Sequence, residues 1–318
     1  MKPLIFALCV VFACGGLSAQ KFTWQPSPGH TQLPIWPGAA PDPQPVAGPE
    51  IAETTGKESL VAGKPVVMVD NVSRPTMTVY SPTGKNTGAA VVVFPGGGYQ
   101  VLAIDLEGTE VCDWLTLKGI TCVLLKYRVP HSGPYWERQC DCEIYPKVSM
   151  ALEDAQRTVG QVRFHAAEWH IDPHKIGVLG FSAGGHLAAA ISTHFAQRLY
   201  PAQDAADKES CRPDFAVALY PGHLWIDDKK FELNPDIHAH ITLQTPPTFL
   251  LQDEDDDVDN VNDSLVYYVA LKNAGVPVEM HLYAQGGHAF GLRSTKFPVT
   301  KWPQLMETWL VTIGMISE

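Results

Sequence analysis

Ser182 stands in VLGFSAGGHLAAA (178–190), a Gly-x-Ser-x-Gly between an aliphatic run and an alanine-rich run. A serine at a sharp strand-to-helix turn has its hydroxyl lifted above a sheet edge, where flanking glycines leave room for a tight backbone and an approaching substrate. The bare pattern recurs by chance, so its setting carries the weight. KIGVLG (175–180) reads as a short buried strand, and AGGHLAAAIS (183–192) reads as a helix of small residues able to pack closely on a sheet. Such a serine is a nucleophile only if a base, an orienting acid and oxyanion donors reach the same edge. His288, in GGHAFG (286–291) beyond the strand-like VEMHLY, is framed by glycines at a strand end and is the candidate base. His186, one turn beyond Ser182, reads as packing or capping. His238, His240 and His281 form no zinc signature, so no metal is expected.

The acid is sought beyond TFLLQ, where DEDDDVDN (253–260) offers more carboxylates than one imidazole can use. A solvated acidic turn is the plain reading of that run. A calcium loop is disfavoured, because Val258 stands where such a loop wants glycine and Ser264 where it wants glutamate. Periodicity does not choose among Asp253, Asp255, Asp256 and Asp257. Oxyanion donors are better marked: PGGGY (95–99) closes an early strand, and the amides of Gly97 and Gly98, with that of Ala183, are the candidates. No Gly-x-Gly-x-x-Gly spacing or Walker lysine follows, which sets phosphate binding aside and implies no cofactor.

These positions need elements that deliver them to one edge. Strand-like pieces near Val66–Val69 and Thr76–Tyr80, then AAVVVF, TCVLLKYR, KIGVLG, FAVALY, TFLLQ and VEMHLY, are interleaved with helical stretches. The helices are expected over Glu107–Lys118, about Lys147–Ala166, beyond Ser182, over Leu265–Ala274 and near Pro303–Ile316. The alternation predicts an α/β protein with a mostly parallel, doubly wound sheet covered by helices on both faces, and ligands then gather at the carboxyl ends of its strands. Two segments, 130–146 and 220–240, are placed to shape the pocket mouth. Their aromatics Tyr135, Trp136 and Trp225, with Tyr99 at the end of the glycine loop, are candidate substrate contacts.

The 318 residues, 45% hydrophobic, suffice for a sizeable core. Lys2, an apolar run from Leu4 to Phe12, and Leu17–Ala19 before Gln20 read as an export leader over residues 1–19, which predicts a secreted or periplasmic protein. Lipid anchoring at Cys14 fits less well because Phe12 sits poorly just inside such a site. The apolar run is too short to span a membrane. Residues 20–63, rich in proline and glycine, suit an arm lying over a catalytic domain of residues 64–318. A formal charge of −11 with no basic stripe argues against a nucleic-acid partner and favours an uncharged substrate. Beyond the leader, Cys112, Cys122, Cys140, Cys142 and Cys211 remain, and one of Cys140 and Cys142 is expected to pair with Cys211.

The blocks PGGGYQVLAIDLEGTEVCDWLTLKGI, LKYRVP, ALEDAQRTV, EWHIDPHKIGVLGFSAGGHLAA, RPDFAVALYP, PPTFLLQDEDDDV and GVPVEMHLYAQGGHAFGL occur in an order that resembles α/β-hydrolase esterases of the hormone-sensitive-lipase-like and feruloyl and acetyl-xylan esterase group. The resemblance runs from about Val66 to Gly314. It implies the α/β-hydrolase fold, a triad of Ser182, His288 and Asp256 with Asp255 as second choice, and hydrolysis of short acyl esters through an acyl-enzyme. Acetyl groups on a plant polysaccharide or oligosaccharide would be the substrate. Gln252 stands where the family often has histidine, Asp259-Asn260 replaces its usual Val-Pro, and Pro95 replaces the histidine of the lipase-type glycine motif. An acylaminoacyl-type peptidase is the rival within the class, but the arm has no room for a propeller domain. A non-catalytic binding protein on the same fold is the rival outside it. A glycoside hydrolase is disfavoured, since no carboxylate pair singles itself out as acid and nucleophile.

Overall fold

The computed structural model describes residues 21–43, 48–129, 136–137, 142–143, 146–225 and 230–317. Its strands are β1 (Gln32–Pro34), β2 (Ile51–Thr54), β3 (Val67–Asp70), β4 (Thr76–Tyr80), β5 (Ala90–Phe94), β6 (Val101–Ala103), β7 (Thr121–Lys126), β8 (Trp136–Glu137), β9 (Cys142–Glu143), β10 (Ile176–Phe181), β11 (Ala216–Leu219), β12 (Thr248–Asp253) and β13 (Val278–Tyr283). Its helices are α1 (Glu110–Leu117), α2 (Pro146–Phe164), α3 (Ala183–Thr193), α4 (Pro235–Ala239), α5 (Asn262–Asn273) and α6 (Trp302–Thr312).

The main sheet has the order β1-β4-β7-β5-β10-β11-β12-β13. From β7 to β13 every neighbouring pair is parallel, while β4 and β1 add an antiparallel edge. Every residue of β5, β7, β10, β11 and β12 is buried, as strands covered on both faces must be. The continuous aliphatic runs of the sequence have this cause. Parallel pairing then aligns the carboxyl ends. Gly180 of β10 is opposite Phe94 of β5, Phe181 is opposite Leu219 of β11, and Asp253 of β12 is opposite Tyr283 of β13.

The expected elements are present, with three differences. The stretch read as an arm supplies β1 to the main sheet and β2 to a small antiparallel sheet with β3 and β6, because its isolated apolar residues find strand partners. A π-helical turn, Asp105–Thr109, precedes α1. The disulfide joins Cys112 of α1 to Cys122 of β7, correcting the expected pairing with Cys211. Helix α1 turns back alongside β7, bringing the two Cα atoms to 5.1 Å, within bonding range. Cys211 is a buried free thiol that donates to the Phe195 carbonyl at 3.3 Å. The leader with Cys14, and also Tyr135 and Cys140, lie outside the described residues.

A buried polar network ties the N-terminal segment to the domain. Asp154 of α2 accepts from the Trp36 indole at 2.8 Å and from Arg128 Nε at 2.9 Å, and Glu153 takes Arg128 Nη2 at 2.7 Å. Removing one partner of a buried charged pair leaves the other desolvated and uncompensated. Asp154→Ala should therefore lower stability by about 3 kcal/mol, read as a lower urea midpoint with the slope unchanged.

Candidate active site

Strand β10 passes through Ser182 directly into α3, and Ser182 takes φ 52° and ψ −121°, left-handed backbone that a side chain rarely adopts. The flanking glycines are required by contact. A Cβ on Gly180 would meet the Gly184 carbonyl oxygen at 1.8 Å, and one on Gly184 would meet the Phe94 carbonyl oxygen at 2.1 Å. The first turn of α3 thus lies hard against β5 and β10. Ser182 is left at the floor of a cleft with 8% of its surface exposed. The amide of Ala183 belongs to the first turn of α3, whose donors have no partner within the helix.

Beside it, the loop after β5 turns at Gly97 (φ 133°) and Gly98 (φ 61°). A Cβ on Gly97 would strike the Val101 carbonyl at 2.1 Å. Among the described residues neither glycine amide is engaged in a hydrogen bond. The loop is fixed from behind by a residue that the sequence reading missed. Buried Glu107 accepts from the Gly96 amide at 2.7 Å and from the Tyr220 hydroxyl at 2.8 Å. Burial, outweighing these bonds, pushes its carboxyl above the ordinary glutamate range. Nothing local set it apart, since Asp105, Glu110 and Asp113 share a stretch read as an ordinary helix start.

His288 follows β13, and its Nδ1 lies 2.8 Å from Asp256 Oδ2. The other oxygen of Asp256 accepts from the Val258 and Asp259 amides at 2.9 and 3.0 Å, so the loop beyond β12 wraps around this carboxylate. Asp255 serves the neighbouring loop instead, accepting from the Gly286 and Gly287 amides at 2.8 Å each. Asp257 is exposed, whereas Asp253 is buried, its carboxylate has no hydrogen-bond partner among the described residues, and it is pushed up to about 7 by burial and by the charges of Asp255 and Asp256. The acidic run therefore divides into an imidazole partner, a loop anchor, a solvated charge and a buried acid.

Asp259, noted in the sequence only as a departure, is also in the cleft. The Ser182 hydroxyl donates to its Oδ2 at 3.1 Å, and that same oxygen lies 3.7 Å from His288 Nε2. Burial alone would lower the His288 pKa. The hydrogen bond that His288 donates to Asp256 and the charges of Asp256, Asp259 and Glu107 outweigh it and hold the imidazole above its ordinary value.

Ser182, His288, Gly97, Gly98, Asp259 and Trp225 border one cavity of about 900 Å³. Asp263 positions Trp225 by accepting from its amide at 2.8 Å. Val61, Val66 and Met68 form an apolar wall supplied by the N-terminal segment and β3; of the two segments expected to shape the mouth, 220–240 contributes His223 and Trp225, and 130–146 lies almost wholly outside the described residues. Tyr99 corrects its expected place. It is fully buried, with its hydroxyl 2.7 Å from His186 Nδ1 and its ring edge-on to Tyr127, because an aromatic ring at φ 57° on this loop packs into the core behind the glycines. Trp136 is described only as backbone of β8. His194, Asp236 and His240 approach one another as metal ligands could, within 4.8 Å. The Asp236 side chain is 72% exposed, with Oδ2 3.3 Å from His194 Nε2. Among the described residues no helix is long and apolar enough to cross a membrane.

A family model described as alpha/beta hydrolase fold matches residues 145–292. An acetylxylan esterase of Xylanibacter ruminicola is 30% identical over 225 residues, covering 64% of this chain and 42% of that protein. An endo-1,4-beta-xylanase B of Butyrivibrio fibrisolvens is 27% identical over 222 residues, covering 65% of this chain and 33% of that protein. The chain thus spans less than half the length of these curated relatives. A solved acetyl ester-xyloside bifunctional hydrolase from Caldicellulosiruptor lactoaceticus matches with a TM-score of 0.70 and 31% identity, over 90% of this chain and 97% of that one. Sheet order, the turn at Ser182 and a likeness extending over almost the whole of a solved relative lead to one conclusion: the chain belongs to the alpha/beta hydrolase fold family.

Proposed function

We propose that this chain is a secreted carboxylic-ester hydrolase that removes short acyl groups, acetyl above all, from carbohydrate esters through Ser182, His288 and Asp256. The observation that carries the reading is the hydrogen-bonded His288–Asp256 pair, which shares one cleft with a strained serine and the unengaged amides of Gly97 and Gly98. The printed names of the acetylxylan esterase and the acetyl ester-xyloside hydrolase support acetyl esters as substrates. The apolar run after Lys2 supports export.

In this reading the Ser182 hydroxyl turns from Asp259 to His288 Nε2 and gives up its proton as Oγ attacks the acyl carbon. The new oxyanion is held by the amides of Gly97, Gly98 and Ala183, each worth on the order of 3 kcal/mol in the transition state. Asp256 fixes the tautomer with Nδ1 protonated and stabilises the imidazolium. His288 then returns the proton to the leaving alcohol oxygen, and the acyl-enzyme is released by a water that His288 deprotonates. Glu107 acts through the Gly96 amide and is a positioning residue.

Ser182→Ala should retain about a hundredth of wild-type kcat/KM or less, with its melting temperature preserved, and should lose labelling by a fluorophosphonate probe; undiminished turnover would remove Ser182 from the mechanism. Asp256→Asn should cost orders of magnitude, whereas Asp257→Asn should be mild because that side chain is solvated. On p-nitrophenyl esters, acetyl or propionyl should give the highest kcat/KM, with a steep fall by octanoyl.

The pH profile has a defined sign. The base works only when neutral, and its pKa lies above the ordinary 6.5, so kcat/KM should be full above the raised value and fall as pH drops through it. A midpoint of the acid limb below 6.5 would contradict this assignment.

A further inference from the structure

We propose that His194, Asp236 and His240 form a binding site for a divalent transition-metal ion of the zinc class, which ties α4 to the end of α3. The trio borders a cavity other than the one that holds Ser182, and the proposal is independent of the esterase reading.

Two helix ends bring the three side chains together. His194 caps the C-terminal end of α3, while Asp236 stands in the first turn of α4 and His240, four residues on, caps its end. One ligand atom from each lies within 4.8 Å of the other two. No local signature marks the trio, because the first histidine comes from a different helix. His194 Nε2 and Asp236 Oδ2 are 3.3 Å apart, and the two imidazole rings have centroids 4.1 Å apart. Bonds of about 2.0–2.1 Å to a tetrahedral zinc put neighbouring ligand atoms about 3.4 Å apart. The histidine–aspartate pair therefore already spans one edge of such a site. The last carbonyls of α3 add partial negative charge beside it.

Hydrogen bonds prepare both rings as ligands. His194 Nδ1 lies 3.1 Å from the Ala190 carbonyl oxygen, and His240 Nδ1 lies 2.7 Å from the Asp236 carbonyl oxygen. The Thr193 hydroxyl beside the first of these nitrogens donates to the Ala189 carbonyl at 3.0 Å. A carbonyl oxygen only accepts, so Nδ1 is the protonated nitrogen of each ring. In the neutral imidazole Nε2 then carries the free lone pair, which is how metal-binding histidines are oriented. On His194 that lone pair faces a carboxylate oxygen, two acceptors that need a positive charge between them. A proton or a metal ion supplies that charge, but a proton joins only two of the three groups and a metal ion joins all of them. Imidazole nitrogens with one carboxylate suit zinc and its transition-metal neighbours, whereas calcium and magnesium take oxygen ligands.

Position gives the ion a structural effect. Asn234, the N-cap of α4, donates its amide to the Leu224 carbonyl at 2.7 Å, and Trp225 bridges to Leu233. His223 and Trp225 of this same segment line the cavity that holds Ser182. An ion that fastens α4 to α3 thus also secures one wall of the cleft. The Asp236 and His240 side chains are 72% and 49% exposed, so they can close to bonding distance without disturbing the core.

The test uses the whole chain without a histidine tag, stripped of metal by a chelator and dialysed at neutral pH. Titrated calorimetrically with Zn2+ alone, wild type should bind one equivalent. Its melting temperature should rise with zinc concentration, as a ligand that prefers the folded chain requires, and Ca2+ should leave it unchanged. Co2+ in place of zinc should give the visible absorption of a four-coordinate nitrogen and oxygen site. His194→Gln, Asp236→Asn and His240→Gln should each weaken zinc binding by more than the roughly 10–100-fold that loss of an outer partner of a metal ligand costs. The last two alter exposed side chains and serve if His194→Gln does not fold. Failure of wild type to bind zinc, or undiminished affinity in Asp236→Asn and His240→Gln, would overturn the site and leave the esterase reading intact. A rise in melting temperature with Ca2+ equal to that with Zn2+ would overturn the assignment to the zinc class.

Discussion

The approach of α3 to β5 and β10 governs the rest of the cleft. Gly180 and Gly184 let backbone meet backbone where no Cβ would fit, and that closeness forces Ser182 into left-handed geometry. The strain is held by a strand buried along its whole length and a helix buried on every residue, so the turn has nowhere to relax. Because Gly180 is in register with Phe94, the loop after β5 ends beside the first turn of α3, and the amides of Gly97, Gly98 and Ala183 come to one edge.

The same logic of register brings together the proposed base and its acid. Asp253 pairs with Tyr283, so the segments beyond β12 and β13 leave the sheet together and meet as Asp256 and His288. That Ser182 and His288 would reach one cleft could be read directly from the sequence, since glycines and strand ends frame each of them. The imidazole's partner had no such local mark and was named as Asp256 only through the family resemblance, because four neighbouring aspartates carry the same chemistry and only the path of the loop distinguishes them. Asp255 and Asp256 are adjacent in sequence yet differ in task, one holding loop amides and the other the imidazole.

What the sequence withheld follows a physical pattern. Local periodicity reports which face of an element is buried and is silent on partners far along the chain. Glu107 reaches Tyr220 across 113 positions, and Trp36 reaches Asp154 across 118, so neither pairing has a local trace. The disulfide was hidden for a related reason. Cys112 and Cys122 are only 10 residues apart, but their pairing depends on α1 folding back on β7, a tertiary fact. Tyr99 misled because an aromatic ending a glycine loop looks like a wall of the pocket, whereas its left-handed backbone carries the ring into the core.

Charge gives the cleft its remaining character. Asp256, Asp259 and Glu107 all face His288, and among the described residues no lysine or arginine borders the cavity. Two consequences follow from this asymmetry on the proposed reading. The imidazolium formed when Ser182 attacks is stabilised from several sides, which favours proton transfer from the serine and keeps the base protonated to a higher pH. The acid released by hydrolysis is itself a carboxylate at neutral pH, and it is repelled by the same groups that stabilised the imidazolium. Once His288 has lost its proton, no lysine or arginine among the described residues lines the cavity to retain that product. A negative cleft therefore supports both the first chemical step, through the base, and the last physical one, through departure of the anion. A neutral ester meets neither effect as it binds.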